Sequence, residues 1–384
     1  MAMRLGTFDV DSFLRDNWQK KPLLIRNPWM SWNNPLEPEE LAGLAGENGI
    51  ESRLITQGSR NWELEHGPLA ESRFSRLRKK HWTLLVQAVD HYVPAVAALI
   101  EPFRFIPDWR IDDVMVSYAV EGGGVGPHFD QYDVFLVQGL GRRRWQIGGE
   151  CDAATELLPH DDLRLLASFE PTDEWILDPG DILYVPPRVA HNGIAASDDC
   201  MTYSIGFRAP SRRELIAIWA ESVIADLGDD DRYADPDLSA RENPGEITPT
   251  AIDRLHSLIT DRMLDRGEFS RCFARYSTTP KNPEIDWRPE EQSDPGEVRR
   301  LLAADVPLLR NPASRFSFIR ETASVSLFVN GQCFACTGVA AAFAERLCAG
   351  ARVMPSAEMI GSELALDLIV ELLNQGSLAF DLED

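Results

Sequence analysis

The sequence predicts a mainly β protein with helices: a double-stranded β-helix of jelly-roll or cupin type, a helical unit, and a small C-terminal α+β domain of winged-helix-like pattern. Three observations carry this. Residues 114–207 contain six short β-branched and aromatic runs separated by Gly-, Pro- and Asp-rich turns, as in double-sheet barrels. From Ser211 the apolar spacing becomes helical. Two alternating runs then flank Asn330-Gly331, a strong hairpin signal, with helical runs after it.

Length and charge bound the rest. The chain has 384 residues, which fits two or three domains, and 44% hydrophobic residues, enough for a sizeable core. No early run resembles a signal peptide, and apolar runs such as 95–100 are too short to span a bilayer. The expectation is a soluble cytoplasmic protein. Net charge is −23, with 20 Lys+Arg against 31 Asp+Glu in residues 1–210 and 18 against 30 in the remainder. Such a surface repels phosphate backbones and attracts basic partners, so direct nucleic-acid binding is not expected. From charge alone, solubility is the favoured explanation. The six cysteines are sparse and predict reduced thiols. Cys333-Phe-Ala-Cys336 has the spacing of half a zinc site or a redox pair. It lacks a second pair and lies in an alternating run, so packed strand cysteines are expected.

Residues 1–110 predict an α/β lead-in. Asp9 to Trp18 and Pro38 to Leu44 have helical spacing, Leu23 to Ile25 reads as a buried strand, and runs at 53–55 and 62–64 read as paired strands. His81 to Ile100 predicts a helix interrupted at Pro94. The barrel strands follow from Val114 to Phe207. Ser211-Arg-Arg-Glu214 is a capping box opening a helix to Leu227. After a polar linker, Ile252, Leu255, Ile259 and Met263 form one helical stripe, and Phe269 and Phe273 extend that unit. A Pro-, Asp- and Glu-rich linker over 277–297 precedes the C-terminal domain, in which helices are expected at 340–348 and 362–373. The expected domains are therefore 1–210, 211–276 and 277–384.

The chemistry concentrates at Gly122-Gly-Gly-Val-Gly-Pro-His-Phe-Asp130. This Gly-rich turn feeds an apolar run, predicting His128 and Asp130 at the start of a strand. Residues two apart on a strand share a face, so both side chains can meet at one point. A third candidate is His191, which follows the turn Pro179-Gly-Asp181 and the buried run Ile182 to Val185. Two histidines and a carboxylate with open positions suit ferrous iron, whereas zinc favours a closed tetrahedron. Ordinary polar residues near turns are the alternative. The remaining histidines, 66, 81, 91, 160 and 256, lack such a setting. A 2-oxoglutarate co-substrate would also require a buried cation for its far carboxylate. In Arg142-Arg-Arg144, alternation turns Arg143 opposite to its neighbours. Three solvated arginines at a turn remain an equal reading of that pattern.

These motifs resemble a known family. Phe13-Leu-Arg-Asp-Asn-Trp-Gln-Lys-Lys-Pro-Leu-Leu-Ile25, Gly-Pro-His-Phe-Asp-Gln-Tyr-Asp-Val-Phe, Gly-Arg-Arg-Arg-Trp, Pro-Gly-Asp-Ile-Leu-Tyr-Val-Pro-Pro and Tyr203-Ser-Ile-Gly-Phe-Arg-Ala-Pro210 are similar to segments of the bacterial ribosomal oxygenases. These are YcfD-like members of the Jumonji-C/cupin group. The similarity runs to about residue 275; beyond it the likeness is one of layout. The resemblance implies iron(II) at His128, Asp130 and His191, the co-substrate carboxylate at Arg143, and Ser117 and Thr202 at strand positions touching the co-substrate. The family position matching Thr202 can carry an amide residue. With O2 as the second co-substrate, the implied reaction is hydroxylation of an arginine on large-subunit ribosomal protein sixteen by a homodimer. Gln131 and Tyr132, beside the triad, are candidates for substrate contact. The rivals are a histidyl hydroxylase, a lysine demethylase and a non-enzymatic peptide-binding scaffold.

Overall fold

The computed structural model describes residues 5–6, 8–58, 62–160, 162–240 and 242–382. The backbone divides into two compact units: Met1–Ala209 with Lys281–Trp287 and Arg310–Ala313, and Pro210–Pro280 with Arg288–Leu309 and Ser314–Asp384.

In the first unit, α1 (Val10–Asp16) starts where the Asp9 carboxylate accepts the Ser12 amide at 3.1 Å. After β1 (Leu23–Ile25) and α2 (Pro38–Leu44) come β2 (Ser52–Gln57) and β3 (Trp62–His66), which pair as expected. The short helix α3 (Glu71–Phe74), strand β4 (Trp82–Val86) and helix α4 (Pro94–Ala97) lead to the barrel strands. Those are β5 (Ile111–Ala119), β6 (Asp133–Leu140), β7 (Arg143–Glu150), β8 (Asp173–Leu177), β9 (Ile182–Val185), β10 (Val189–Ala195) and β11 (Cys200–Phe207). An eight-stranded sheet runs β1-β9-β6-β11-β5-β4-β2-β3, and a three-stranded sheet runs β10-β7-β8.

Alternation along β6 sorts the two faces of the large sheet. Phe135 and Val137 join a core with Phe13, Phe103, Tyr184 and Phe207. Val134 and Leu136 instead join Trp145, Ile147, Leu177, Leu183 and Val185, which brings the two sheets together. The second face is the barrel interior. On it the period of two places every other residue of the neighbouring strands.

Two expectations are corrected here. The helix expected over 81–100 is absent: β4 pairs with β2 and β5, Ala88 takes a left-handed φ of 53°, and Pro94 opens α4 rather than interrupting a longer helix. A short apolar run that is buried on both sides has no period to separate strand from helix. His128 and Asp130 also lie outside the strand. They sit in an extended segment ahead of β6, and His128 makes an isolated antiparallel bridge with His191. Strand pairing begins only at Asp133. Its buried carboxylate is bound by the Tyr184 hydroxyl at 2.6 Å, by Gln19 at 3.0 Å and by Arg110 at 3.1 Å.

The second unit opens with α5 (Arg212–Ala225), whose capping box is formed: Glu214 N donates to Ser211 Oγ at 3.1 Å, and Ser211 N donates to the Glu214 carboxylate at 2.7 Å. Helix α6 (Pro249–Met263) is tied to α5 by the Trp219 indole, which donates to the Met263 carbonyl at 3.0 Å. Helix α7 (Arg266–Thr278) carries Phe269 against Trp219, with ring centroids 5.7 Å apart. Then follow α8 (Pro295–Ala303), β12 (Leu308–Arg310), β13 (Phe316–Arg320), β14 (Val325–Val329) and β15 (Gln332–Cys336). The chain ends with α9 (Gly338–Ala349), β16 (Arg352–Val353), α10 (Ala357–Ile360), α11 (Glu363–Asn374) and β17 (Leu378–Phe380). Asn330 and Gly331 both have positive φ, 50° and 81°, as a two-residue hairpin turn requires. Leu302, Phe343, Leu347, Ile369 and Leu372 centre an apolar core. All six cysteines are free, and Cys333 and Cys336 lie in β15 as expected. Among the described residues, no helix is long and apolar enough to cross a membrane.

Candidate metal and co-substrate site

The Gly-rich segment can approach the barrel because it lacks side chains. A Cβ on Gly124 would lie 2.3 Å from the Gly193 carbonyl oxygen of β10, a distance no side chain tolerates. Gly126 has a φ of 88° and abuts Trp62, so it too is restricted to glycine. The loop then locks to β10 by reciprocal bonds. His128 N donates to the His191 carbonyl at 3.0 Å, and His191 N donates to the His128 carbonyl at 2.8 Å.

This pairing brings three ligand-type side chains together. His128 Nε2 and His191 Nε2 lie 3.9 and 3.6 Å from Asp130 Oδ2. One donor atom from each residue falls within 4.8 Å of the others. Each histidine has its second nitrogen engaged: His128 Nδ1 is 2.8 Å from the Gly126 carbonyl and His191 Nδ1 is 2.9 Å from the Val189 carbonyl. A carbonyl only accepts, so both Nδ1 atoms carry the proton, leaving the Nε2 lone pairs turned toward Asp130. Burial, and next the neighbouring His128, push the His191 imidazole down to about 4, so it is neutral at physiological pH. A mixed nitrogen and oxygen set of this kind fits ferrous iron.

Deeper in the barrel, the β7–β10 register sets Ile147 opposite His191, Trp145 opposite Gly193 and Arg143 opposite Ala195. Arg142 and Arg144 are exposed, whereas Arg143 is only 4% exposed. Its Nε and Nη2 find no hydrogen-bond partner among the described residues. The guanidinium stacks 5.8 Å from the Trp145 ring. That indole fills the space beside Gly193, where a Cβ would come within 2.6 Å of it. A buried guanidinium without an anion is costly, and a carboxylate presenting two oxygens would match its fork.

Ser117 and Thr202 face each other across β5 and β11 and are both buried. Thr202 Oγ1 donates to Gln138 Oε1 at 3.1 Å, and Ser117 Oγ lies 3.5 Å from the Thr202 carbonyl. Gln138 went unnoticed in the sequence. Its signal was a lone amide inside the apolar run of β6, and it is fully buried. Gln131 and Tyr132 occupy the bend between Asp130 and β6, both exposed. Partial desolvation of the phenol, and next the Asp130 carboxylate, hold Tyr132 above its ordinary value.

Comparisons with known proteins converge on one family. A JmjC domain description matches residues 98–215, and a ROXA-like winged helix description matches residues 257–379. The chain is 40% identical over 305 residues to a ribosomal protein uL16 3-hydroxylase of Escherichia coli (strain K12), covering 79% of this chain and 80% of that protein. It is 37% identical over 317 residues to a probable ribosomal oxygenase of Haemophilus influenzae, covering 77% and 75%. A solved structure of the E. coli ribosomal oxygenase YcfD in complex with cobalt and 2-oxoglutarate superposes with a TM-score of 0.86 at 35% identity, covering 99% of each chain. A JmjC barrel, a ROXA-like winged helix and this extent of shared sequence make the chain a member of the JmjC ribosomal oxygenase family.

Proposed function

We propose that this chain is an iron(II)- and 2-oxoglutarate-dependent protein hydroxylase that oxidises an arginine side chain of ribosomal protein uL16. One observation carries the reading: a two-histidine, one-carboxylate cluster shares a barrel interior with a buried guanidinium that has unpartnered donors. The relative named above acts on uL16, and an acidic surface suits a basic protein of that kind.

The chemistry that ferrous iron and 2-oxoglutarate supply, when bound, is hydroxylation of an unactivated C–H bond by O2, with succinate and carbon dioxide as co-products. His128 and His191 would offer neutral nitrogens and Asp130 one anionic oxygen, leaving the remaining positions open. Arg143 would hold the distal carboxylate of the co-substrate, with Ser117 and Thr202 beside it on the inner face. The apolar wall of Val134, Leu136, Ile147 and Leu183 excludes water from this end of the barrel. Gln131 and Tyr132, at the rim next to Asp130, would meet the protein substrate.

We assign the homodimer to the helices of the second unit. Ile216 and Ile224 on α5, and Ile252, Leu255 and Ile259 on α6, are each at least 43% exposed. Such a concentration of exposed aliphatic residues is expected of an interface.

The test is incubation of the protein with ferrous iron, 2-oxoglutarate, oxygen and purified uL16, followed by mass spectrometry and succinate detection. Gain of one oxygen on arginine supports the proposal. Gain on histidine, or methyl loss from lysine, redirects it to another substrate. Absence of both modification and succinate leaves a binding scaffold.

A further inference from the structure

We propose that the cleft between β15 and α11 is a docking site for an extended, Lys- or Arg-bearing segment of the ribosomal protein substrate, distinct from the segment that is oxidised. The proposal rests on the substrate reading above. It is carried by features of the second unit alone.

β15 is the outer strand of its sheet, whose order is β13-β14-β15. The Asn330-Gly331 turn makes Val329 and Gln332 the first bonded pair, and the register continues with Leu327 opposite Phe334. Antiparallel bonding alternates, so Cys333 and Ala335 turn their N–H and C=O groups away from β14, where among the described residues no strand lies beside them. The sequence does nothing to block this edge. Gln332-Cys-Phe-Ala-Cys336 has no lysine, proline or bulge, the usual defences of an open strand.

A cleft of ≈ 470 Å³ runs along that edge. Its opposite wall is one stripe of α11, with Leu364, Asp367 and Glu371 at helical spacing. Leu364 is 62% exposed. Gln375 closes one end, donating to Gln332 Oε1 at 2.9 Å and to Glu371 Oε1 at 2.7 Å. The charged residues lining the cleft are both acidic, and among the described residues Asp367 has no ion pair. The arginines nearest in sequence are committed elsewhere: Arg346 donates to the Met354 carbonyl, and Arg352 pairs with Asp381 at 2.8 Å.

These features select one kind of occupant. A peptide added to β15 would take the bonds offered by Cys333 and Ala335. Residues four apart on a helix rise about 6 Å, and alternate residues of a strand advance about 6.8 Å. Cationic side chains two apart on the peptide are therefore spaced to meet Asp367 and Glu371. A second hold of this kind raises the effective concentration of the substrate chain without touching the oxidised residue.

The experiment compares full-length uL16 with a short peptide containing the oxidised residue. The enzymes are the wild type, Asp367→Lys/Glu371→Lys, the isosteric pair Asp367→Asn/Glu371→Gln, and Ala335→Pro. Ala335→Pro removes an outward N–H without removing a bond to β14. KM for full-length uL16 should rise about tenfold in the charge-reversed variant, equivalent to about 1.4 kcal/mol. Its kcat, and both constants for the short peptide, should stay at wild-type values. Should the reversed variant fail to fold, the isosteric pair reads the same quantity. Unchanged KM for full-length uL16 overturns the proposal, as does an equal loss with the short peptide. A change of oligomeric state by light scattering assigns the cleft to a second copy and also overturns it. If the wild type hydroxylates neither substrate, the activity reading fails separately. Fluorescence anisotropy of labelled full-length uL16, titrated with wild type and variants, still decides the docking site.

Discussion

The two compact units bury their polar groups differently. Inside the first lie Asp90, His91, Asp113, Asp133, Gln138, Arg143, Asp181, His191 and Thr202. Among the described residues of the second, the buried polar side chains are serines and threonines: Ser277, Thr278, Ser314, Ser326 and Ser377. Burying a charge is unfavourable unless it is paired, so the first unit carries a load that packing alone would not select. Much of it is internally satisfied. Asp181 accepts from Arg26 at 2.6 Å and from the amides of Asn27 and Asp178, both at 2.9 Å, which fixes the turn before β9. Asp113 accepts from Lys281 at 2.8 Å, Gln87 at 2.7 Å and Ala88 N at 2.9 Å. Two donors of Arg143 remain without a protein acceptor. That residual imbalance sets Arg143 apart from the Asp113 and Asp181 networks.

Substitutions sharpen the contrast, and the largest effect belongs to the triad. His128→Ala should lower iron affinity by more than about 100-fold and abolish succinate formation, read by metal titration and mass spectrometry. Arg143→Met comes next and should separate function from stability. KM for 2-oxoglutarate should rise about 100-fold or more. The ligand-free protein should gain about 1–4 kcal/mol in denaturant unfolding, because an unpartnered buried charge is replaced by packing. If Arg143→Met destabilises the ligand-free protein, the guanidinium is structural and the contrast between the units fails.

In the second unit the expectation reverses. Leu372→Ala, in the apolar core, should lose about 2–5 kcal/mol while leaving co-substrate affinity unchanged. The proposed homodimer should dissociate in Ile252→Glu combined with Ile259→Glu, read by light scattering, with little change in thermal stability of the first unit.

The smallest effect is a pH dependence in the first unit. Burial, and then the neighbouring Asp113, raise Asp90 to about 8 from 3.8, while Lys281 opposes the shift. The folded state therefore holds a proton that the unfolded state releases. Its contribution is complete below about pH 4 and is lost as pH rises toward 8. Asp90→Asn, which keeps an oxygen for the Val114 amide now bonded at 2.8 Å, should flatten this decline. The melting temperature at pH 8 should increase by about 2–4 °C per kcal/mol recovered. A melting profile unaltered by Asp90→Asn between pH 5 and 8 would place that charge elsewhere.

Legibility in the sequence followed the range of the forces involved. The Ser211 capping box and the Asn330-Gly331 turn depend on neighbours within a few residues, and each appeared where its pattern stood. The three-arginine run left inward and solvated readings equal; packing separated the buried Arg143 from its exposed neighbours. Trp82 to Val86 was misread as helical because both faces of the strand are buried, which removes the period that marks a strand. Gln138 was passed over because its partner Thr202 lies 64 residues away on another strand.

The opening motif shows the division most clearly. Glycine, proline and the His-x-Asp spacing already supplied a tight approach and two ligand-type side chains, because backbone freedom and side-chain chemistry are local properties. The two side chains do converge, but from an extended segment ahead of β6 rather than from the strand itself. The reciprocal bonds between His128 and His191 hold an extended loop against β10, and Asp130 is carried to both imidazoles by that pairing. Strand register joins residues far apart in the chain, and sheet packing settles which partners a buried group obtains. Those two conditions bring Arg143 into the same interior as the triad and leave its donors open.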